Sequence, residues 1–192
     1  EVDETTKVSF DNKLKKGGII IRKFDKKHPD MTVSGAVFTV YQNGKEYKKL
    51  TETSKGIYEL KNIPYGDYTV KETSAPEGYL LDTGTYDFSI KNNSEIITIS
   101  NSDKDKFVET MIEGSVELVK KDSKTRKPLE NAEFTVYAVK DGKTEFYKAL
   151  MTDKDGKLTF TEVPYGNYII KETKAPEGYN IDTGEYPFSI KE

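Results

Sequence analysis

Nothing constrains this chain more than its internal duplication. Ala36-Val-Phe-Thr-Val-Tyr41 returns as Ala132-Glu-Phe-Thr-Val-Tyr137, and Ile63-Pro-Tyr-Gly-Asp-Tyr68 returns as Val163-Pro-Tyr-Gly-Asn-Tyr168. Lys71-Glu-Thr-Ser-Ala-Pro-Glu-Gly-Tyr79 returns as Lys171-Glu-Thr-Lys-Ala-Pro-Glu-Gly-Tyr179, and Phe88-Ser-Ile-Lys91 as Phe188-Ser-Ile-Lys191. A period this long means two homologous domains, each of ordinary size. Within each copy the apolar period is two: Phe38-Thr-Val40, Tyr68-Thr-Val70 and Phe88-Ser-Ile90 alternate as half-buried strands do. Asn43-Gly44, Asp141-Gly142 and Asp155-Gly156 supply hairpin turns. Pro64-Tyr-Gly66 and Pro164-Tyr-Gly166 fit turns with proline preset at the second position. No long helical stripe occurs, so the expectation is an all-β, immunoglobulin-like sandwich in two copies.

Each repeat opens on a strand with an odd residue in it. Gly18-Ile-Ile-Ile-Arg-Lys-Phe-Asp25 places Ile19, Ile21 and Lys23 on one face, because side chains alternate along a strand. Gly114-Ser-Val-Glu-Leu-Val-Lys-Lys-Asp122 does the same with Val116, Leu118 and Lys120. A lysine thus continues each apolar phase, and an unpaired ammonium in a core is costly. Candidate partners share the pattern. Glu72 continues the phase of Tyr68 and Val70, and Glu172 that of Tyr168 and Ile170. Asn101 continues the phase of Ile97 and Ile99, and Asn12 that of Val8 and Phe10.

Burial would drive such a lysine toward neutral amine and such a glutamate toward neutral acid. A neutral amine is a nucleophile. An asparagine amide offers an electrophilic carbon, and a protonated carboxyl can polarise its carbonyl and then protonate the leaving nitrogen. The pattern therefore points to a Lys–Asn isopeptide bond formed with loss of ammonia. The competing reading is that these charges sit at strand ends with their tips in solvent.

Together these motifs resemble the collagen-adhesin B-type (Cna B-type) domains of Gram-positive surface adhesins and pilins. The residues that carry the resemblance are Lys23-Phe-Asp25 and Lys120-Lys-Asp122, Gly35 to Phe38, the Pro-Tyr-Gly-x-Tyr turns, Glu72 to Tyr79, Glu172 to Tyr179, and a last strand ending in Asn101. The resemblance covers 18–101 fully, and 114–192 except for the last strand. It implies two tandem inverse immunoglobulin-like sandwiches with an autocatalytic intramolecular isopeptide bond. The bond-forming lysine maps onto Lys23 and Lys120, the catalytic acid onto Glu72 and Glu172, and the asparagine onto Asn101. Asn12 resembles the bond-forming asparagine of a preceding domain.

The expected division is 1–16 as a last strand of a preceding domain or a donor strand, 17–101 as the first domain, 102–113 as a linker, and 114–192 as a second domain without its last strand. Lys7 to Asn12 is expected to be strand-like. It belongs to an upstream domain, or it completes the second domain of another copy by pairing Asn12 with Lys120. Phe107, Val108, Met111 and Ile112 suggest that the later part of 102–113 packs on a neighbour.

The expected role is a stalk or shaft module of an extracellular protein, attached to the cell wall by sortase through parts outside this stretch. Expected partners are adjoining domains, another copy by strand donation, or a host matrix protein. A net charge of −3 gives no basic excess for nucleic acid, and no apolar run is long enough for a membrane span. The only chemistry expected is one intramolecular turnover, so the chain is not read as an enzyme. No cofactor or metal is expected. Asp153-Lys-Asp155-Gly156 reads as a hairpin turn rather than a calcium loop. Cysteine is absent, so disulfides are excluded.

Overall fold

The computed structural model describes residues 7–100 and 107–192. Its strands, in chain order, are β1 (Lys16–Arg22), β2 (Val37–Gln42), β3 (Lys45–Lys49), β4 (Thr51–Ser54), β5 (Ile57–Pro64), β6 (Gly66–Ser74), β7 (Tyr79–Leu80) and β8 (Thr85–Ile90). They continue with β9 (Ile96–Ser100), β10 (Thr110–Met111), β11 (Glu113–Val119), β12 (Glu133–Lys140), β13 (Lys143–Met151), β14 (Lys157–Pro164), β15 (Gly166–Lys174) and β16 (Tyr186–Ile190). No helix occurs among the described residues.

The chain forms two compact units. The first is Glu1–Pro76 with Leu81–Glu109, and the second is Glu77–Leu80 with Thr110–Glu192. The first unit therefore runs on past Asn101 to Glu109, into the stretch expected to be linker.

In the first unit two four-stranded sheets, β4-β5-β1-β9 and β3-β2-β6-β8, supply one core. Ile19 and Ile21 from β1, Tyr58 and Leu60 from β5 and Ile99 from β9 meet Phe38 and Val40 from β2, Tyr68 and Val70 from β6, and Phe88 and Ile90 from β8. That is the period-two alternation of the sequence expressed as burial. Asn43 and Gly44 both hold positive φ, 52° and 75°, at the tight β2–β3 turn, as the Asn-Gly signal requires. Two ladders then fix β1. It pairs antiparallel with β5 and parallel with β9, the latter from Gly18↔Ile96 to Arg22↔Ser100.

The second unit repeats the plan with fewer strands. Its larger sheet is β13-β12-β15-β16, and β11 pairs with β14. A short β7–β10 pair also belongs to this unit. The core joins Phe134 and Val136 to Leu158, Phe160, Tyr168 and Ile170, with Val116 and Leu118 of β11 partly buried beside them. Among the described residues β11 has a neighbour on one edge only.

Residues 7–15 form no strand and are exposed. The alternation of Lys7 to Asn12 is present in the sequence, but within the described residues it meets no partner strand, and an isolated strand has little to hold it.

Candidate functional site

The inward phase of β1 carries Lys23 into the interior. Ile19 is 1% exposed, Ile21 0% and Lys23 0%. β6 carries Glu72 in from the facing sheet by the same alternation, at 4% exposure. The two meet: Lys23 Nζ lies 2.9 Å from Glu72 Oε1, with both side chains wholly buried. Phe38 packs beside the amine, its ring centroid 5.2 Å from Nζ.

A third charged group completes the cluster. Glu109 is fully buried, and its Oε1 lies 2.6 Å from Lys23 Nζ. It arrives on a short run that continues alongside β1, with Asp25 bridging to Glu109 and Lys26 N donating to Glu109 O at 3.0 Å. Phe107, two residues earlier, caps the site. Its ring is fully buried, with centroids 4.8 Å from Phe38 and 4.2 Å from Tyr86.

These are ion-pair distances, but Lys23 Nζ, Glu72 Oε1 and both Glu109 oxygens find no aligned hydrogen-bond partner among the described residues. Burial is the largest influence on Lys23 and pushes its amine below the usual lysine range, against the pull of Glu72 and Asp82. The site thus favours a nucleophilic amine more than a surface lysine does.

The loop after β7 holds the glutamate. Asp82 N donates to Glu72 Oε2 at 2.9 Å. The Asp82 carboxylate in turn accepts from Gly84 N, from Tyr86 Oη at 2.8 Å and from Phe107 N at 3.0 Å. This Asp-Thr-Gly-x-Tyr loop recurs in the second unit: Asp182 N donates to Glu172 Oε2 at 2.6 Å, and Asp182 accepts from Gly184 N and Tyr186 Oη. The Tyr186 hydroxyl is the first cause that holds Asp182 below the usual carboxylate range. Glu72 is thus anchored through one carboxylate oxygen and faces its lysine with the other, whereas Glu172 takes both Asp182 N and the Lys120 amine on Oε2.

The second unit also brings Lys120 and Glu172 together, Nζ donating to Oε2 at 3.0 Å, but Lys120 keeps 20% of its side chain exposed. Asn101 lies outside the described residues. Asn12 is exposed. Sequence reasoning expected Phe107 to pack but not at this site, and it missed Glu109, Asp82 and Asp182. The last pair had a usable signal, since Asp82-Thr-Gly-Thr-Tyr86 and Asp182-Thr-Gly-Glu-Tyr186 are repeated.

Comparison with known proteins gives a consistent picture. The model of the SpaA prealbumin-like fold domain matches residues 17–105 and again 114–192. The chain is 32% identical over 101 residues to the collagen adhesin of Staphylococcus aureus, covering 50% of this chain and 8% of that protein. It is 34% identical over 102 residues to the trypsin-resistant surface T6 protein of Streptococcus pyogenes, covering 53% and 18%. Among solved structures, the Bacillus anthracis TIE protein matches with a TM-score of 0.75 at 33% identity, over 93% of this chain and 32% of that one. A C-terminal fragment of the pilus adhesin SpaC from Lactobacillus rhamnosus shares the fold at a TM-score of 0.63 and 18% identity, over 92% and 82%. The chain spans under a fifth of each of the two curated relatives described.

Proposed function

Because the chain belongs to the SpaA prealbumin-like fold family, whose members here are surface adhesin and pilin proteins, we propose that it is a tension-carrying stalk segment of an extracellular, cell-wall-attached protein, closed in its first domain by a Lys23–Asn101 isopeptide bond. The observation that carries this reading is the wholly buried Lys23–Glu72 pair. A sandwich has no need of a charged pair in its core, and such pairs add little stability by themselves. A further support is register. The parallel β1–β9 ladder ends at Arg22↔Ser100, and the next residues in sequence are Lys23 and Asn101.

The chemistry follows from the groups in place. Lys23, with its amine made less basic by burial, attacks the Asn101 side-chain carbonyl carbon. Glu72 protonates the carbonyl oxygen and then relays a proton to the amide nitrogen. The C–N bond to that nitrogen breaks and ammonia leaves. Asp82 N keeps Glu72 aimed throughout. Preorganisation in a dry core supplies the rate, since held reactants behave as if at very high concentration. The Glu109 carboxyl is the competing acyl group; its reaction with Lys23 would release water instead of ammonia.

The function lies in where the bond sits. β1 and β9 are neighbouring strands at the two ends of the first domain. A link between their ends lets tension pass from entry to exit without loading the sheets between. Single-molecule pulling through the two chain ends tests this. The first domain should release no extension from the stretch between Lys23 and Asn101. A step containing that full length would refute the reading.

A further inference from the structure

The loop that aims Glu72 is one end of a longer ribbon, in which residues 78–82 and 107–112 run antiparallel. Phe107 N donates to the Asp82 carboxylate at 3.0 Å. Leu80 then pairs with Thr110 and Tyr79 with Met111, as β7 and β10. Ile112 N donates to Gly78 O at 2.9 Å. Asp82, which donates to Glu72, stands at the near end, and so do Phe107 and Glu109, which pack around Lys23. Leu81 alone separates β7 from Asp82, and Glu109 immediately precedes β10.

A two-stranded ribbon is marginal in water by itself. The far end of this one is held by a residue of the second repeat. Tyr165 is the single residue between β14 and β15. Its N–H donates to Ile112 O at 2.8 Å. Its hydroxyl donates to Glu77 Oε1 at 3.2 Å. Its ring lies against Gly78, where a Cβ would stand 3.0 Å from Tyr165 Cδ1. Gly78 also holds φ at 84°, a conformation suited to glycine. One side chain and its backbone thus grip both strands of the ribbon, Glu77 and Gly78 on one and Ile112 on the other. The division of the chain reflects this grip: Glu77–Leu80 and Thr110 onward belong to the second unit, and Leu81–Glu109 to the first.

We propose that Tyr165 is a positioning residue for the first-domain site: by clamping the ribbon it holds Asp82, and through Asp82 it holds Glu72, so that bond formation in the first domain waits for the second domain to fold. The proposal rests on the Lys23–Asn101 reading and goes further by making that reaction conditional on a residue of the other repeat. The consequence is an order of assembly. Until the second domain has formed, the ribbon is loose, Glu72 is poorly aimed, and the first domain stays free to unfold and refold. Once Tyr165 is in place, the irreversible step proceeds.

The test follows full-length chains made in a cell-free reaction, quenched in acidic denaturant at intervals and read by intact mass. Wild type should lose one ammonia per chain. Tyr165→Ala should lose it on the order of ten- to a hundredfold more slowly, as expected when a reacting group is slightly misplaced. Tyr165→Phe keeps the ring on Gly78 and should bond as fast as wild type. Gly78→Ala disturbs the same contact from the ribbon side, leaves the core residues of the second unit untouched, and should bond as slowly as Tyr165→Ala. Calorimetry on each variant shows whether the second-domain transition lies above the reaction temperature. A merely structural Tyr165 would move that transition and leave the bonding rate alone. Bonding at the wild-type rate in Tyr165→Ala with the second domain folded would overturn the proposal. Should Tyr165→Ala fail to fold, Gly78→Ala decides on the same terms. A wild type that loses no ammonia would sink the bond itself and the proposal with it, and the wild-type arm alone shows which failure has occurred.

Discussion

Glu72→Gln isolates the proposed bond from the ion pairs around it. Glutamine keeps the volume of Glu72 and can still accept from Asp82 N, but it cannot shuttle a proton. Lys23 retains Glu109 at 2.6 Å, so no buried ammonium is stranded. The variant should therefore fold and remain unreacted. Its cost is the missing cross-link. By analogy with disulfides, a tie between Lys23 and Asn101 closes a loop of roughly 80 residues and is worth about 4–5 kcal/mol. For a domain of this size each kcal/mol moves the melting temperature by about 4–8 °C, so the first-domain transition should fall by roughly 16–40 °C. Calorimetry measures it, with the second-domain transition as an internal reference. Intact mass on the same sample should show no ammonia lost. A variant that keeps the mass deficit, or that lacks it yet melts where the wild type does, would refute the reasoning.

Other expectations follow from the same geometry. Phe107→Ala opens the cap over Phe38 and Tyr86 and should cost about 3–5 kcal/mol in denaturant unfolding of the first domain. Gly84→Ala places a Cβ 2.6 Å from Tyr86 Oη and 2.8 Å from Asp82 Oδ1. It should displace the loop that aims Glu72, costing about 1–3 kcal/mol and lowering the fraction of bonded chains seen by mass. In the unreacted Asn101→Ala variant, the lowered Lys23 pKa means the unfolded chain holds the extra proton between that value and 10.5. Stability should therefore rise with pH across that window. Lys23→Met, compared by chemical denaturation over the same pH range, should lack that rise.

Much of the site was readable from strand phase. A strict two-residue period forces Lys23 to follow Ile21 inward and Glu72 to follow Val70, and in both repeats the resulting pair lies at about ion-pair distance. Glu109 was not readable in this way. It lies beyond a charged stretch, where Phe107 is the one core residue ahead of it in phase, and its bridge to Asp25 joins residues far apart in sequence. Lys7 to Asn12 teaches the converse. Its alternation is as good as that of β9, yet β9 has β1 to pair with, whereas Lys7 to Asn12 is exposed and meets no partner strand among the described residues. Alternation permits a strand, and a partner edge decides it. The Asp82 and Asp182 loops show a third case, where repetition of a polar motif marked a positioning element that no periodicity could reveal.

The central claim is tested most directly by the intact mass of the purified wild-type chain, followed by fragmentation of the peptide that contains Lys23. The account predicts a monomer lighter than its composition by one ammonia, and a branched peptide joining Lys23 to Asn101. A full-mass monomer with a free Lys23 peptide would contradict it, as would a loss of water with the branch at Glu109.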